Sequence, residues 1–381
     1  MAGGYFDRSM HAPARPRGGS AAREERTDVE RSCYLELAAR GLRMPIGAHL
    51  VLHEQPDPDA IIVDGERLGA VVAATARRYR TPLAVPLMDL TVEKTALLEM
   101  LAIPADQIDN YHFASWSGPE VLERLQQALP RHRNARVNAT CAAITHVARQ
   151  TDLVPLGMVI GPLSLVVKLL ADPITALFMA GRGRTADENP QVALLEGVFE
   201  LATQTVLWSI EKQLDAGAQA ILICEPAAST AYISPRQLAA GANLLERFVL
   251  APHRRIKARL TAAGCDLIFH CCGELTADFV RTFVQLDPVM LSLGSSRVLW
   301  EDAALVPKNI VLYGNLPTRS FYSDEACPLA AVEAQAVRLL REMSAIGHPF
   351  ILGSECDVLS VPGAHETIAR KVDAFMNVPY P

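Results

Sequence analysis

The sequence at residues 265–273 is CDLIFHCCG, a short apolar run that ends in a histidine, two cysteines and a glycine. Six further runs share this character: LAVPLMDL (83–90), VPLGMVIGP (154–162), AQAILICEP (218–226), VMLSLG (289–294), NIVLYGNL (309–316) and PFILGSEC (349–356). Short apolar runs with few charges are typical of strands that are buried on both faces of a parallel sheet.

Stretches with helical periodicity separate these runs. Residues 191–217, 234–264, 274–285 and 329–347 carry apolar side chains at three- and four-residue spacing. The alternation of strand and helix predicts a parallel sheet, and an eighth strand is expected in residues 43–52 or 60–64. A closed (β/α)8 barrel and an open doubly wound sheet both satisfy this order.

Polar side chains at the ends of the runs distinguish these two folds. The runs end at or close to Asp89, Glu225, His270 with Cys272, Ser295, Asn315 and Cys356. A barrel collects functional residues from the ends of several strands, whereas an open sheet concentrates them at one point. We therefore predict an α/β fold, a single (β/α)8 TIM barrel over residues 41–381, with a flexible N-terminal extension over residues 1–40.

Composition excludes several classes of protein. Of the 381 residues 50% are hydrophobic and 20% are charged, so the chain has ample material for a buried core. A net charge of −6 argues against nucleic-acid binding through the overall field. The sequence lacks an apolar stretch of the ~20 residues that a membrane span needs, and its N-terminus lacks the apolar core of a signal peptide. We expect a cytoplasmic protein with no nucleic-acid or membrane partner.

The sequence His270-Cys271-Cys272-Gly273 contains the strongest chemical signal. Because side chains alternate across a strand, His270 and Cys272 lie on one face and Cys271 on the other. Imidazole nitrogen and thiolate sulfur are zinc ligands, and Cys356 can supply a third from another strand end. Buried packing is the competing interpretation, since free cysteine behaves as a small hydrophobe.

Two carboxylates at strand ends also have two interpretations each. Asp89 either caps the following helix or faces a polar substrate in the barrel mouth. Glu225 either caps a turn or acts at the metal, as a fourth ligand or as an acceptor for the imidazole. The sequence leaves both choices open, and both residues are candidate catalytic groups.

Seven motifs in chain order resemble the uroporphyrinogen decarboxylase superfamily. They are PLMDLTVE (86–93), GPLSL (161–165), AGA (216–218), EPAAS (225–229) with ISP (233–235), HCCG (270–273), YGNL (313–316) and CDV (356–358). The resemblance is closest to the branch of zinc-dependent methyltransferases that work with corrinoid proteins. It runs from about residue 40 to the C-terminus.

The resemblance implies a (β/α)8 barrel and a function. Zinc is expected at His270, Cys272 and Cys356, and a methyl group is expected to move between a small methylated substrate and a corrinoid. The chain contains no Asp-x-His-x-x-Gly corrinoid-binding segment, so the corrinoid is expected on a separate partner protein. Ser295 and Asn315 are expected to contact the cofactor, and a homodimer is one expected assembly.

Several alternatives remain at this point. The fourth zinc position belongs to Glu225, Glu355, water or the substrate. The transfer can run in either direction between the corrinoid and a small substrate of the methyl ether, methylamine or thiol type. A metal-free decarboxylase of a porphyrinogen-like acid is the second candidate function, although the arginine-rich N-terminal signature of the decarboxylases is absent. An inactive barrel that serves as a binding partner is the third.

Overall fold

A computed structural model describes residues 23–379 of the chain. Eight parallel strands form one sheet in the order β1-β8-β7-β6-β5-β4-β3-β2. The strands are β1 (Arg43–Ile46), β2 (Leu83–Ala84), β3 (Val154–Ile160), β4 (Ala220–Cys224), β5 (Asp266–Cys271), β6 (Met290–Leu293), β7 (Val311–Leu316) and β8 (Phe350–Asp357).

The sheet curls in the manner of a TIM barrel. The α/β class and the eight parallel strands confirm the prediction, whereas closure is incomplete, because β1 and β2 share no ladder pair within residues 23–379. Side chains bridge this gap instead. Thr81 Oγ1 lies 3.3 Å from Met44 Sδ, and Met44 and Leu83 belong to the same buried cluster.

Helices cover the outside of the sheet. They are α1 (Arg23–Ala39), α2 (Ala48–Leu52), α3 (Pro58–Ile61), α4 (Gly65–Arg78), α5 (Val92–Met100), α6 (Glu120–Ala128), α7 (Ala135–Gln150), α8 (Pro162–Leu169), α9 (Pro173–Gly181), α10 (Pro190–Asp215), α11 (Pro235–Ala239), α12 (Ala251–Ala262), α13 (Ala277–Val284), α14 (Leu299–Asp302), α15 (Leu329–Ile346) and α16 (His365–Asn377). A π-helix (Glu246–Leu250) leads directly into α12, and short 3₁₀ segments cover Ala105–Gln107 and Thr318–Ser320. No helix in this part of the chain is long and apolar enough to cross a membrane.

Strand alternation divides the buried side chains into two layers. In β4 the residues Ala220, Leu222 and Cys224 belong to the inner cluster, which we call the barrel interior. Their neighbours Ile221 and Ile223 belong to the larger cluster between sheet and helices, which we call the outer layer. This division explains why the strand sequences are apolar at every position, since both faces of the sheet are buried.

Two sequence expectations need correction. The eighth strand lies in residues 43–46, whereas residues 58–61 form α3, so the second candidate at 60–64 is wrong. The single helix expected over 234–264 is broken: α11 ends at Ala239, and the chain resumes in the π-helix before α12.

The last residues of the predicted N-terminal extension pack against the barrel. Residues 1–22 lie outside the described residues. Tyr34, Leu37 and Ala38 of α1 are buried in the barrel interior cluster, and the Arg31 guanidinium donates to the carbonyl oxygens of Pro288 and Asn309. Residues 31–39 therefore belong to the fold and cover the N-terminal ends of the strands.

Candidate metal centre

His270, Cys272 and Cys356 come together at the C-terminal end of the barrel. One ligand atom from each, the imidazole nitrogen or the thiol sulfur, lies within 4.8 Å of the other two. Among residues 23–379 this is the one group of three or more such side chains at ligating separation. The residues come from the end of β5, the position after it, and β8. The structure brings these three predicted residues together, and their binding of a metal stays a prediction.

The alternation of β5 explains the positions of His270 and Cys271. His270 shares the inward register with Ile268, which lies in the barrel interior. Cys271 is fully buried in the outer layer with Phe269, and its sulfur lies 3.5 Å from the carbonyl oxygen of Ala228. Cys271 therefore occupies a packing position, although it stands between two candidate ligands.

Cys356 reaches the same place through an irregularity in β8. Met44 of β1 pairs with Gly353 of β8, and Ile46 pairs with Asp357. Two steps along β1 (46 − 44) thus oppose four steps along β8 (357 − 353), so β8 carries a bulge of two residues. Bulges bend a strand and re-aim its side chains.

Without the bulge Cys356 would point the other way. Ile351 faces the barrel interior and Leu352 the outer layer, so strict alternation would place Cys356 with Leu352. In the structure Cys356 instead packs against the barrel interior cluster, and its sulfur lies 3.9 Å from Met88 Sδ. The bulge therefore determines that this thiol faces the mouth.

The environment of His270 fits a metal ligand. Its Nδ1 lies 2.8 Å from the Ser292 hydroxyl on the adjacent strand β6, where the two residues are paired in register. Its Nε2 is buried and has no hydrogen-bond partner. An orphaned buried nitrogen is costly in a protein interior, and a metal-binding histidine commonly fixes its ring through the other nitrogen. Sequence reasoning missed Ser292, although its register opposite His270 follows from the strand pattern.

A hydrogen bond links the thiols of Cys272 and Cys356. The pKa of Cys272 is lowered to about 7 by its hydrogen bond with Cys356, and the Arg319 guanidinium contributes, although burial opposes the shift. The same hydrogen bond and burial raise the pKa of Cys356. One thiolate is therefore available near neutral pH, which is the form that binds zinc. Arg319 was not found by the sequence analysis, because it follows β7 with no motif around it.

Ser295, Asn315 and Glu355 make contacts that shape the loops around the centre. The Glu355 carboxylate accepts hydrogen bonds from the Ser295 hydroxyl at 2.5 Å and from Arg319 at 3.3 Å. The Asn315 amide donates to the carbonyl oxygens of Gly294 and Arg297, both at 2.8 Å. Cofactor contacts for Ser295 and Asn315 stay a prediction.

Glu225 lies on the other side of the sheet from the barrel interior. Its carboxylate accepts the backbone N–H groups of Leu163 at 3.1 Å and Ser164 at 2.6 Å, at the start of α8. His253 of α12 lies 3.4 Å from the same carboxylate, and both side chains are fully buried. Glu225 is not part of the group formed by His270, Cys272 and Cys356. These contacts favour its interpretation as a cap.

Asp89 lies just before α5, and its contact with a substrate stays a prediction. Its Oδ1 accepts hydrogen bonds from the Thr91 backbone and hydroxyl at 2.9 and 2.6 Å, just before α5. Its Oδ2 pairs with Arg136 of α7 at 2.7 Å. The hydrogen bonds from Thr91 and the charge of Arg136 lower the pKa of Asp89 although burial raises it, so the group is a carboxylate at neutral pH. Asp89 also lines a pocket of about 250 Å³.

Comparison with known proteins places the chain in a family. The sequence profile described as uroporphyrinogen decarboxylase (URO-D) matches residues 61–377, which is most of the chain. The chain belongs to the uroporphyrinogen decarboxylase family. No curated protein sequence matches it at a significant level.

A solved structure shows the same fold as this family member. A methyltransferase from Methanosarcina mazei superposes with a TM-score of 0.60, covering 91% of this chain and 98% of its own, at 16% sequence identity. Identity this low supports the shared fold alone. The family profile, which matches residues 61–377, includes all three residues of the candidate metal centre.

In this uroporphyrinogen decarboxylase family member, we expect Asp89→Asn to separate the two roles of Asp89. Asparagine keeps the oxygen that caps towards Thr91 but loses the charge that faces Arg136, so stability should fall by about 1 kcal/mol or less. Turnover should fall at least tenfold if the carboxylate contacts substrate, by roughly the size of one lost charge-assisted contact. Thermal unfolding measures the stability and the methyl-transfer rate measures the turnover, while an unchanged zinc content serves as the control. Equal turnover in variant and wild type would leave Asp89 as a cap alone.

Proposed function

We propose that this chain is a zinc-dependent methyltransferase that moves a methyl group between a small methylated substrate and a corrinoid carried by a separate protein. The observation that carries the proposal is the buried, unpartnered Nε2 of His270 beside the thiols of Cys272 and Cys356. One imidazole and two thiols form a donor set that zinc prefers.

The protein supplies three ligands and leaves room for a fourth. Of the two carboxylates considered for that position, Glu225 caps α8 and Glu355 is bonded to Ser295 and Arg319. Open coordination positions are typical of catalytic zinc sites. When bound here, zinc supplies Lewis acidity to the heteroatom that carries or receives the methyl group.

The residues of the chain prepare the site for this chemistry. Ser292 fixes the ring of His270, so that Nε2 is held in the mouth. Arg319 places its charge beside the two thiols and thereby favours the thiolate. Met88 joins the thiol of Cys356 to the pocket of about 250 Å³ that Asp89 lines.

The volume of this pocket is sufficient for a small substrate. Pockets that enclose drug-sized ligands have volumes of about 300–1,000 Å³. A space of about 250 Å³ suits a smaller molecule. In the proposed reaction, a partner protein brings the corrinoid to the site from outside, over the C-terminal face of the barrel.

We expect about one zinc ion per chain, because residues 23–379 contain one set of three candidate ligands at ligating separation. Elemental analysis of protein purified without chelators, and again after reconstitution with zinc, measures this number. A value below roughly a tenth of an equivalent after reconstitution would remove the metal from the proposal.

Methyl transfer itself is tested with free cobalamin in place of the partner protein. Zinc-loaded protein is mixed with cob(I)alamin and a panel of methyl ethers, methylamines and methyl thioethers, and with methylcobalamin and thiols for the opposite direction. Formation or loss of methylcobalamin is followed by its absorption spectrum. A zinc-loaded protein that is inactive with every member of both panels would contradict the proposal and favour a binding role.

A further inference from the structure

The pocket beside the metal centre has a second chemical group that the proposed function does not use. It lies between the segments that follow β1 and β2 and is lined in part by His49, Leu87, Met88, Asp89 and Arg136. Met88 is shared with the metal centre, since its sulfur lies 3.9 Å from that of Cys356. Met88 therefore connects the pocket to one of the three candidate metal ligands.

His49 is held in place by Asp357. The ring Nδ1 of His49, on α2, lies 2.8 Å from Asp357 Oδ2, and Asp357 directly follows the ligand Cys356 in β8. The Asp357 side chain is 5% exposed and the His49 side chain 25%. His53 stacks on the ring of His49 with 5.7 Å between centroids. The imidazole is thus fixed on one edge and one face.

The other ring nitrogen is left for a ligand. Within residues 23–379, Nε2 of His49 has no hydrogen-bond partner, while the residue lines the pocket and retains a quarter of its exposure. A carboxylate that receives Nδ1–H orients a histidine so that Nε2 can exchange a proton with a bound molecule. Buried histidines that serve only packing have no such opening towards a cavity.

We propose that His49 is the acid–base residue of methyl transfer, and that its Nε2 exchanges a proton with the heteroatom that carries the methyl group. Asp357 is the positioning residue that holds the ring. This proposal rests on the proposed function and adds the residue that donates or accepts the proton in the methyl-transfer step.

The step balances in both directions of transfer. In demethylation the bond between the methyl carbon and the heteroatom breaks, its electron pair stays on the heteroatom, and that atom takes the proton from Nε2. The methyl group is transferred to a reduced corrinoid, whose cobalt(I) supplies the electron pair of the new bond and becomes cobalt(III). In methylation of a thiol, Nε2 accepts the thiol proton and the sulfur forms a bond to the methyl carbon. The electron pair of the carbon–cobalt bond stays on cobalt, which changes from cobalt(III) to cobalt(I).

The experiment compares substrates with different leaving groups. From the substrate class that reacts in the methyl-transfer test, we choose two members whose demethylated products differ widely in acidity. Two methyl ethers with different ring substituents are one such pair. We expect His49→Gln to lower kcat/KM by about 100-fold or more for the poorer leaving group. The loss should be much smaller for the better leaving group, which needs less help from a proton donor.

A matched control separates this effect from a general loss of fold. His365 on α16 also pairs with a carboxylate, that of Glu54 at 3.2 Å, but lies outside the pocket. We expect His365→Gln to retain the wild-type ratio between the two substrates. Zinc content and unfolding temperature of both variants show that the barrel is intact.

A second measurement does not depend on turnover. In the zinc-loaded protein, the imidazole resonances of His49 should respond to a reactive methyl donor added alone, and Asp357→Asn should change its ring tautomer. If His49→Gln does not fold, Asp357→Asn carries the kinetic comparison, with the same expected dependence on the leaving group.

The outcomes distinguish the two proposals. Inactive wild-type protein contradicts the proposed function and this inference with it. Active wild-type protein, with either an equal loss for both leaving groups or no loss in His49→Gln, overturns the role of His49 alone. The charged groups that influence any pH profile of His49 are Asp357, Asp89 and Arg136, and the nearby His53.

Discussion

Cys356→Ser should remove most of the zinc and nearly all methyl transfer. Serine is a much poorer donor to zinc than thiolate, and the remaining histidine and cysteine cannot hold the ion at the affinity of three ligands. Cys356 also holds the hydrogen bond that lowers the pKa of Cys272, so its loss affects both thiols. Zinc per chain and transfer rate are measured together, and we expect both to fall at least tenfold, in line with the loss of a zinc ligand.

Cys271 offers the control for this prediction. It is a fully buried cysteine one residue from each of two ligands, but its side chain lies in the outer layer. Cys271→Ala or Cys271→Ser should change stability by about 1–2 kcal/mol and leave zinc content near that of wild type. Loss of zinc in Cys271→Ala together with normal zinc in Cys356→Ser would show that the register of β5 is different from the one described.

Glu225→Ala should destabilise the fold strongly while leaving zinc binding intact. Helix α8 begins after Gly161, which has no side chain to cap it. Glu225, the residue that follows β4, accepts the N–H groups of Leu163 and Ser164 instead. Removing the carboxylate leaves two buried N–H groups without acceptors, which costs about 3 kcal/mol. Chemical denaturation measures this change, and zinc per folded chain should stay near one ion.

Glu225→Gln is the conservative variant. Its amide oxygen still accepts one N–H group, so we expect roughly half of the loss caused by alanine. If Glu225 were a zinc ligand or a catalytic group, both variants would instead lose zinc or turnover at normal stability. Gly161 limits other replacements here, because a Cβ at that position would lie 2.2 Å from Glu225 Oε2.

The same pair of residues predicts a pH dependence. Burial raises the pKa of Glu225 to about 7, so its contribution to stability is complete below its unfolded value of 4.5 and is lost as the pH rises through about 7. Burial lowers the pKa of His253 to about 4, so its contribution is complete above its unfolded value of 6.5 and is lost as the pH falls through about 4. Between about pH 4 and pH 7, a rise in pH therefore reduces the contribution of Glu225 to stability and increases that of His253. In Glu225→Gln only the histidine remains, and stability should fall as the pH decreases from 6.5 to 4.

The sequence predicted the parts of the site that follow from regular alternation. His270 and Cys272 on one face and Cys271 on the other are consequences of a period of two, which needs no knowledge of neighbouring elements. The strand-like runs and their order gave the parallel sheet for the same reason. The prediction was less successful for β2, where only Leu83 and Ala84 of the eight-residue run belong to the ladder.

Features that depend on partners far along the chain could not be predicted in this way. The acceptor role of Glu225 requires knowing that α8 begins opposite the end of β4. The pair of His49 and Asp357 joins residues that are 308 positions apart in the chain. Arg319 acts through space on thiols from two other strands. The burial of Tyr34 under the strands was missed because its helix has a charged sequence with little apolar periodicity.

The bulge in β8 has a consequence for the direction in which the side chain at position 356 points. The ladder between β7 and β8 is regular from Phe350 to Ser354, so the irregularity is confined to the last few residues of one strand. A member of the family with a regular β8 would keep the same barrel but turn the residue at position 356 towards the helices. The geometry at the end of one strand therefore decides whether Cys356 meets His270 and Cys272, while the rest of the barrel stays the same.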